Sequence, residues 1–450
     1  MHALLIRLTR TSFKLNKWIR KFRIYAAIRQ TFSILFPFVV IGSFFRALNL
    51  AVFRPDGFFA TVWHIEDWLP YYTQIAKPIA AITTLTINVI ALLAVFLVAK
   101  YLAHALKDDD HIVGICGLLT LLILNFNFNA LSHSLDHQNG SDTLPFNNFG
   151  FRDLFFSLLI GILVAYFYHV LAAFSKRHLP HKNIDQSFTT RGIHAIFPVS
   201  VLLITFVLLS FGISFTPQHN LSTLFYGLLE IPLSTRNHVT LFLFFITLIN
   251  TLLGFLGISG PLNFMTQNIA NPAGAANLSH ALSTKNLFTV PNPVTLHTLY
   301  DTYGNFGGSG MTLGLILVIL FLIKNHGLRQ VAAFSFLPSL VNINDPIMLG
   351  IPIIFNPLLL IPYTISPLVS MAIAWLFINV HWMPPAVYAV PGTTPGILLG
   401  FLGTNGNYMA LLVSILGLFT SAMIYYPFIR IIAQINTHES FAKSKVTTHA

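Results

Sequence analysis

Long apolar runs, separated by short polar or basic stretches, set the pattern of this chain. The first occupies about residues 31 to 53 and is interrupted by Pro37 and Arg46. Others follow at about 78–104, 112–131, 154–174, 193–215, 239–257, 311–323, 358–380 and 408–432. About 20 consecutive apolar residues cross the hydrocarbon core as a helix. The pattern therefore predicts an all-α polytopic membrane protein. Residues 258–310 are harder to place, being rich in Gly, Asn, Pro, Ser and Thr. Basic span ends at 100–107, 176–191 and 324–329 must share the cytoplasmic side. That condition needs an odd number of crossings within 258–310, and a broken seventh helix starting near Pro261 supplies one. The total is then about ten transmembrane helices, with both termini cytoplasmic.

Two Pro/Gly-rich segments, 335–357 and 381–406, are too irregular for plain helices. Non-helical backbone at membrane depth persists where it is buried in protein or lines a watery cavity. Interrupted segments of this kind point to a transporter's substrate site. They are read as two re-entrant hairpins, against the alternative of ordinary extramembrane loops. No strong internal repeat stands out.

Composition sharpens the class. Apolar types make up 55 % and charged types 9 %, where a soluble domain carries about a quarter charged residues. Mean hydropathy is +0.72. These values exclude a soluble enzyme, a nucleic-acid-binding protein and a disordered chain. Lys and Arg total 25 against 14 acidic residues, a formal net charge of +11. Eight of the 25 cations fall in the first 29 residues, from Arg7 to Arg29. With Leu, Ile, Phe and Trp between them, residues 1–30 suggest a basic amphipathic segment on the inner leaflet. They lack the long apolar core of a cleaved signal peptide. The single cysteine, Cys116, excludes a disulfide framework. The 18 histidines show no spacing with acidic support, so no metal and no cofactor are expected.

Candidate chemistry gathers in the last third. Between Arg329 and Arg430 the one charged side chain is Asp345, within Asn342–Ile343–Asn344–Asp345–Pro346. A carboxylate inside a membrane is costly and marks a functional site by default; the competing reading is a cap on a half-helix N-terminus. Asn342 and Asn344 offer amides to a polyol. Pro346, Pro352 and Pro357 break helix continuity. Lys77, in Ala76–Lys77–Pro78, is either a snorkelling interfacial lysine or a contact to a sugar hydroxyl or phosphate. Arg46 is either a snorkelling end charge or a partner for a carboxylate, with the former preferred. Gly304, Gly307, Gly308 and Gly310 lack the strand and Lys of a phosphate loop and fit close helix packing better.

These residues resemble the permease subunit, enzyme IIC, of the bacterial phosphoenolpyruvate-dependent sugar phosphotransferase system, in its lactose/cellobiose (chitobiose) branch. The similarity rests on blocks in family order across about residues 30 to 430. Phe36–Pro37–Phe38–Val39–Val40–Ile41–Gly42–Ser43 and Lys77–Pro78 come first. Gly307–Gly308–Ser309–Gly310–Met311–Thr312–Leu313–Gly314–Leu315 follows. Asn342–Ile343–Asn344–Asp345–Pro346 continues to Gly350–Ile351–Pro352–Ile353–Ile354–Phe355–Asn356–Pro357. Pro391–Gly392–Thr393–Thr394–Pro395 and Tyr425–Tyr426–Pro427–Phe428 close the set. The resemblance implies a homodimer, an elevator-like movement of the substrate domain, and phosphorylation of the sugar by an enzyme IIB partner at the cytoplasmic face.

The resemblance also implies a Glu and a His at the sugar hydroxyl and a Trp beside the ring. Here those positions read Asp345, Ser259 and Gly392. Asp has one methylene less reach, and serine cannot do the proton or charge work of histidine. Two functions stay open: a sugar phosphotransferase permease for a cellobiose- or lactose-like disaccharide, and a degenerate sugar facilitator or sensor without phosphotransfer. Asp345 is the expected catalytic residue, with Lys77, Ser259, Asn342, Asn344, Asp345, Gly392 and Thr393 at the sugar. The expected organisation is an amphipathic segment 1–30, a scaffold and dimerisation domain 31–215, a connector 216–238, a transport domain 239–432 and a cytoplasmic tail 433–450, in the bacterial cell membrane.

Overall fold

A computed structural model describes residues 21–128, 146–178, 188–216, 221–229, 240–264 and 272–447. The basic stretch before residue 21, the polar loop at 132–145, the loop at 179–187 and much of the connector lie outside the described residues.

The regular structure of the described residues is helical. It opens with α1 (Arg23–Ala51), then two short helices, α2 (Phe58–Trp63) and α3 (Ile65–Trp68). Trp63, Trp68 and Tyr71 are exposed there, as aromatic residues are at a membrane–water boundary. Next come α4 (Tyr72–Thr86), α5 (Ile90–Leu106), α6 (Asp110–Leu124), α7 (Leu154–His178), α8 (Phe188–Ser214) and α9 (Leu221–Leu229). The later part holds α10 (Thr240–Phe255), α11 (Pro272–Thr284), α12 (Thr312–Leu322), α13 (His326–Leu340), α14 (Asp345–Gly350), α15 (Pro357–Asn379), α16 (Gly396–Gly403) and α17 (Tyr408–Thr447).

Six helical stretches among the described residues are long and apolar enough to cross a membrane, and three shorter apolar helices accompany them. The other expected spans fall on these. Near Pro261, where a broken helix is expected, the chain makes one 3-10 turn, Pro261–Phe264, and α11 begins at Pro272. The second span begins at Tyr72, with Pro78 inside it, and breaks at residues 87–89. The irregular segment expected from 335 begins only after Leu340, because Pro338 is accommodated within α13. Within the connector, read as a loop or interfacial segment, the described residues form the helix α9.

Two units divide the chain. Among the described residues, one contains 85–230 with the segment up to Pro37; the other contains 38–84 and the chain from 231. The first is built around α5, whose Ala91, Ala94, Val95, Val98, Ala99, Leu102 and Ala103 are fully buried. Small residues let α6 and α7 come close: a side chain at Gly117 would meet Ala99, and one at Gly161 would overlap Val98. On α8, Ile196, Ile204, Leu208 and Phe211 stay exposed, which suits contact with lipid. The second unit packs Tyr300, Tyr303, Phe306, Met311 and Met371 into one apolar core with α10, α15 and α17. Phe306 and Met311 bracket Gly307, Gly308 and Gly310, so this core fixes the loop that holds the candidate site.

Candidate functional site

Three non-helical stretches of the second unit meet, and two asparagines tie them together. Asn342 ends α13 in the left-handed region, at φ +64°. Its Oδ1 accepts from the Gly307 N–H at 3.1 Å, and its Nδ2 donates to the carbonyls of Gly392 and Thr394, both at 3.0 Å. Asn344 Nδ2 donates to the Ser309 carbonyl at 3.0 Å. The 304–310 glycine loop, the 341–345 stretch and the 391–395 loop are thereby pinned to one another. The amides expected to face a polyol are spent on backbone, because buried carbonyls and N–H groups outside helices need partners.

Glycine is required where these loops close on side chains. Gly308 has φ +93°, and a Cβ there would lie 2.8 Å from the Asn344 amide carbon. Gly310 has φ +80°, and a Cβ there would overlap the Tyr363 ring. The Gly310 carbonyl accepts from Tyr425 Oη at 2.7 Å. These glycines serve a tight turn before α12 rather than the packing of one helix on another.

Asp345 begins α14, one residue after the N-cap Asn344, and makes no cap bond. Its Oδ2 accepts from Arg46 Nη1 at 2.9 Å. The Asp345 side chain is 8 % exposed and that of Arg46 37 %. Arg46 is thus a carboxylate's partner, correcting its reading as a snorkelling end charge. The physical reason is mutual: neither charge has another ionic partner among the described residues, and an unpaired buried charge is costly. Among the described residues Asp345 Oδ1 makes no hydrogen bond, and it is not sealed from solvent.

The other expected residues distribute unevenly. Thr393 accepts from the Phe58 N–H through Oγ1 at 2.9 Å, linking the 391–395 loop to α2. Gly392 is exposed, and a Cβ there would meet nothing within 4 Å. Ser259 is half-buried in the stretch after α10. That stretch leans on the segment after α14: Phe355 N–H donates to the Phe255 carbonyl at 3.2 Å, and a Cβ at Gly257 would lie 3.4 Å from Ile354. No hydrogen bond joins Ser259 to Asp345. Lys77 is exposed on α4, and no ion pair joins it to Asp345.

Two polar groups behind the loops carry no sequence expectation. Asn250, inside α10, accepts from the Leu262 N–H at 3.0 Å and donates to Tyr300 Oη at 3.0 Å. An amide in the middle of an otherwise apolar run was the available signal. An open groove of about 500 Å³ lies elsewhere, along Leu322, Lys324, Asn325, Arg430 and Gln434, and does not include Asp345.

A carboxylate with one oxygen held and one free can orient or deprotonate a hydroxyl, and loops fixed by amides hold it still. The sequence model described as "Phosphotransferase system, EIIC" matches residues 29–367. The oligo-beta-mannoside-specific EIIC component of Bacillus subtilis is 23% identical, covering 92% of this chain and 90% of that protein. The cellobiose-specific EIIC component of Geobacillus stearothermophilus is 25% identical, covering 90% and 89%. Among solved structures, the transporter ChbC, the IIC component from the N,N'-diacetylchitobiose-specific phosphotransferase system, covers 96% of this chain and 99% of its own, at 22% identity and a TM-score of 0.43.

Proposed function

The chain belongs to the phosphotransferase system EIIC family, and from that premise we propose that its cargo is a β-linked disaccharide, released into the cytoplasm as a phosphate ester. It is a multi-pass membrane permease of a sugar phosphotransferase system, binding a sugar and working with an EIIB domain. The names of its relatives support the sugar class: oligo-beta-mannoside, cellobiose and lactose.

In this reading Asp345 orients the sugar hydroxyl through Oδ1, and phosphorylated EIIB supplies the phosphoryl group. Ser259, Lys77 and Thr393 contribute hydrogen bonds to the sugar, and the open space at Gly392 takes part of a ring. Asn342 and Asn344 act by holding the loops. The protein works as a homodimer in the bacterial cell membrane with both termini cytoplasmic, residues 31–215 serving as scaffold and 239–432 as the moving substrate domain. The observation that carries the proposal is the free oxygen of Asp345 at the junction of three pinned loops. Membranes containing the chain, given phosphorylated EIIB and labelled cellobiose, should yield labelled sugar phosphate. Binding without product would instead establish the facilitator or sensor.

A further inference from the structure

Arg46 does more than neutralise Asp345. A guanidinium carries five N–H donors in a planar fork that matches the oxygens of a phosphate. One of the five is used, on Asp345 Oδ2. The others make no hydrogen bond among the described residues, and the side chain is 37 % exposed. Arg46 is therefore a cation fixed at one corner, with most of its fork open beside the oxygen assigned to the sugar hydroxyl. Among the described residues it is the one cation bonded to Asp345. Ser259 supplies no positive charge to this side of the site.

We propose that Arg46 is an oxyanion-binding residue whose open fork receives the non-bridging oxygens of the phosphoryl group on the sugar. The binding site holds whether the ester is made there or only passes through. Its part in transfer rests on the phosphotransfer reading given above. In that step the sugar hydroxyl oxygen attacks phosphorus and a P–O bond forms. The bond from phosphorus to the EIIB side chain breaks, and its electron pair leaves with EIIB. The hydroxyl proton passes to Asp345 Oδ1 and then to solvent. Arg46 holds the charge on the non-bridging oxygens throughout.

Calorimetric titration of the purified protein with cellobiose and with its 6′-phosphate tests the site directly. The quantity read is affinity for the ester divided by affinity for the parent sugar. In Arg46→Gln the ratio should fall about tenfold or more, the worth of one charged hydrogen bond, and in Arg46→Lys it should fall less. Arg46→Gln leaves Asp345 unpaired and can misfold, so Arg46→Gln with Asp345→Asn is measured beside it and should show the same loss. Asp345→Asn alone keeps the cation and removes a repelling charge, so the ratio should hold or rise. A ratio unchanged without Arg46, a fall in Asp345→Asn alone, or no ester binding by the unaltered protein overturns the proposal. Absence of sugar phosphate in the EIIB assay overturns the transfer reading instead, and leaves this ratio to be decided on its own.

Discussion

The Asn342 amide receives the Gly307 N–H at 3.1 Å, while the same side chain donates to two carbonyls of the 391–395 loop. One side chain thus supports both walls of the Asp345 site. Asn342→Asp keeps the acceptor but turns the donor into a second acceptor facing two carbonyls. It should destabilise the protein by about 1–3 kcal/mol, the cost of leaving such groups unmet. Thermal unfolding in detergent measures this, and an unchanged midpoint would contradict the role given to Asn342.

Gly310 and Gly392 make a matched pair. A Cβ at Gly310 overlaps Tyr363 at a φ of +80°, whereas one at Gly392 meets nothing within 4 Å. Gly310→Ala should lower stability and abolish transport, because the ring or the loop must move. Gly392→Ala should leave the unfolding midpoint within measurement error. Parallel melting curves and uptake of labelled cellobiose compare the two; equal damage from both would refute the packing argument.

What the sequence made legible follows from the cost of charge in lipid. Asp345 stood out because nothing else charged lies between Arg329 and Arg430, and long apolar runs located α7, α15 and the start of α17 within a few residues. Its partner was hidden, since Arg46 is 299 positions away and nothing in local pattern links them. The break between α4 and α5 was masked for another reason: Ile87 and Val89 keep hydropathy high through a turn that only Asn88 betrays. Asn342 and Asn344 stood out as amides beside Asp345, and the fold gives their side chains backbone partners. A sequence shows that an amide is present; only the folded loops show which carbonyls and N–H groups claim it.

The Arg46–Asp345 pair is half-buried, so its worth is less than that of a sealed ion pair. Removing either partner strands the other. Arg46→Gln should cost about 1–3 kcal/mol after allowing for the exposure of Arg46. The double variant with Asp345→Asn should recover part of that loss. A thermodynamic cycle from four melting curves yields the coupling; a value near zero would mean that the contact contributes nothing to stability.

The substitutions at Ser259 and Gly392 predict gains rather than losses. Ser259 follows α10 on the stretch that leans against 354–355, and serine there has no group that exchanges a proton near neutral pH. Ser259→His places an imidazole on that stretch. General acid–base assistance is worth about 10² to 10⁴ when geometry is ideal, and a group added without further adjustment recovers a fraction of it, about tenfold. Gly392→Trp fills open space with an aromatic face and should tighten cellobiose binding about threefold to tenfold. The two effects separate kinetically: the histidine raises the rate of labelled sugar phosphate formation at saturating sugar and phosphorylated EIIB, while the tryptophan lowers the sugar concentration needed for half that rate. If Ser259→His left the saturated rate unchanged while the protein still bound cellobiose, serine 259 would have no place at the reacting hydroxyl.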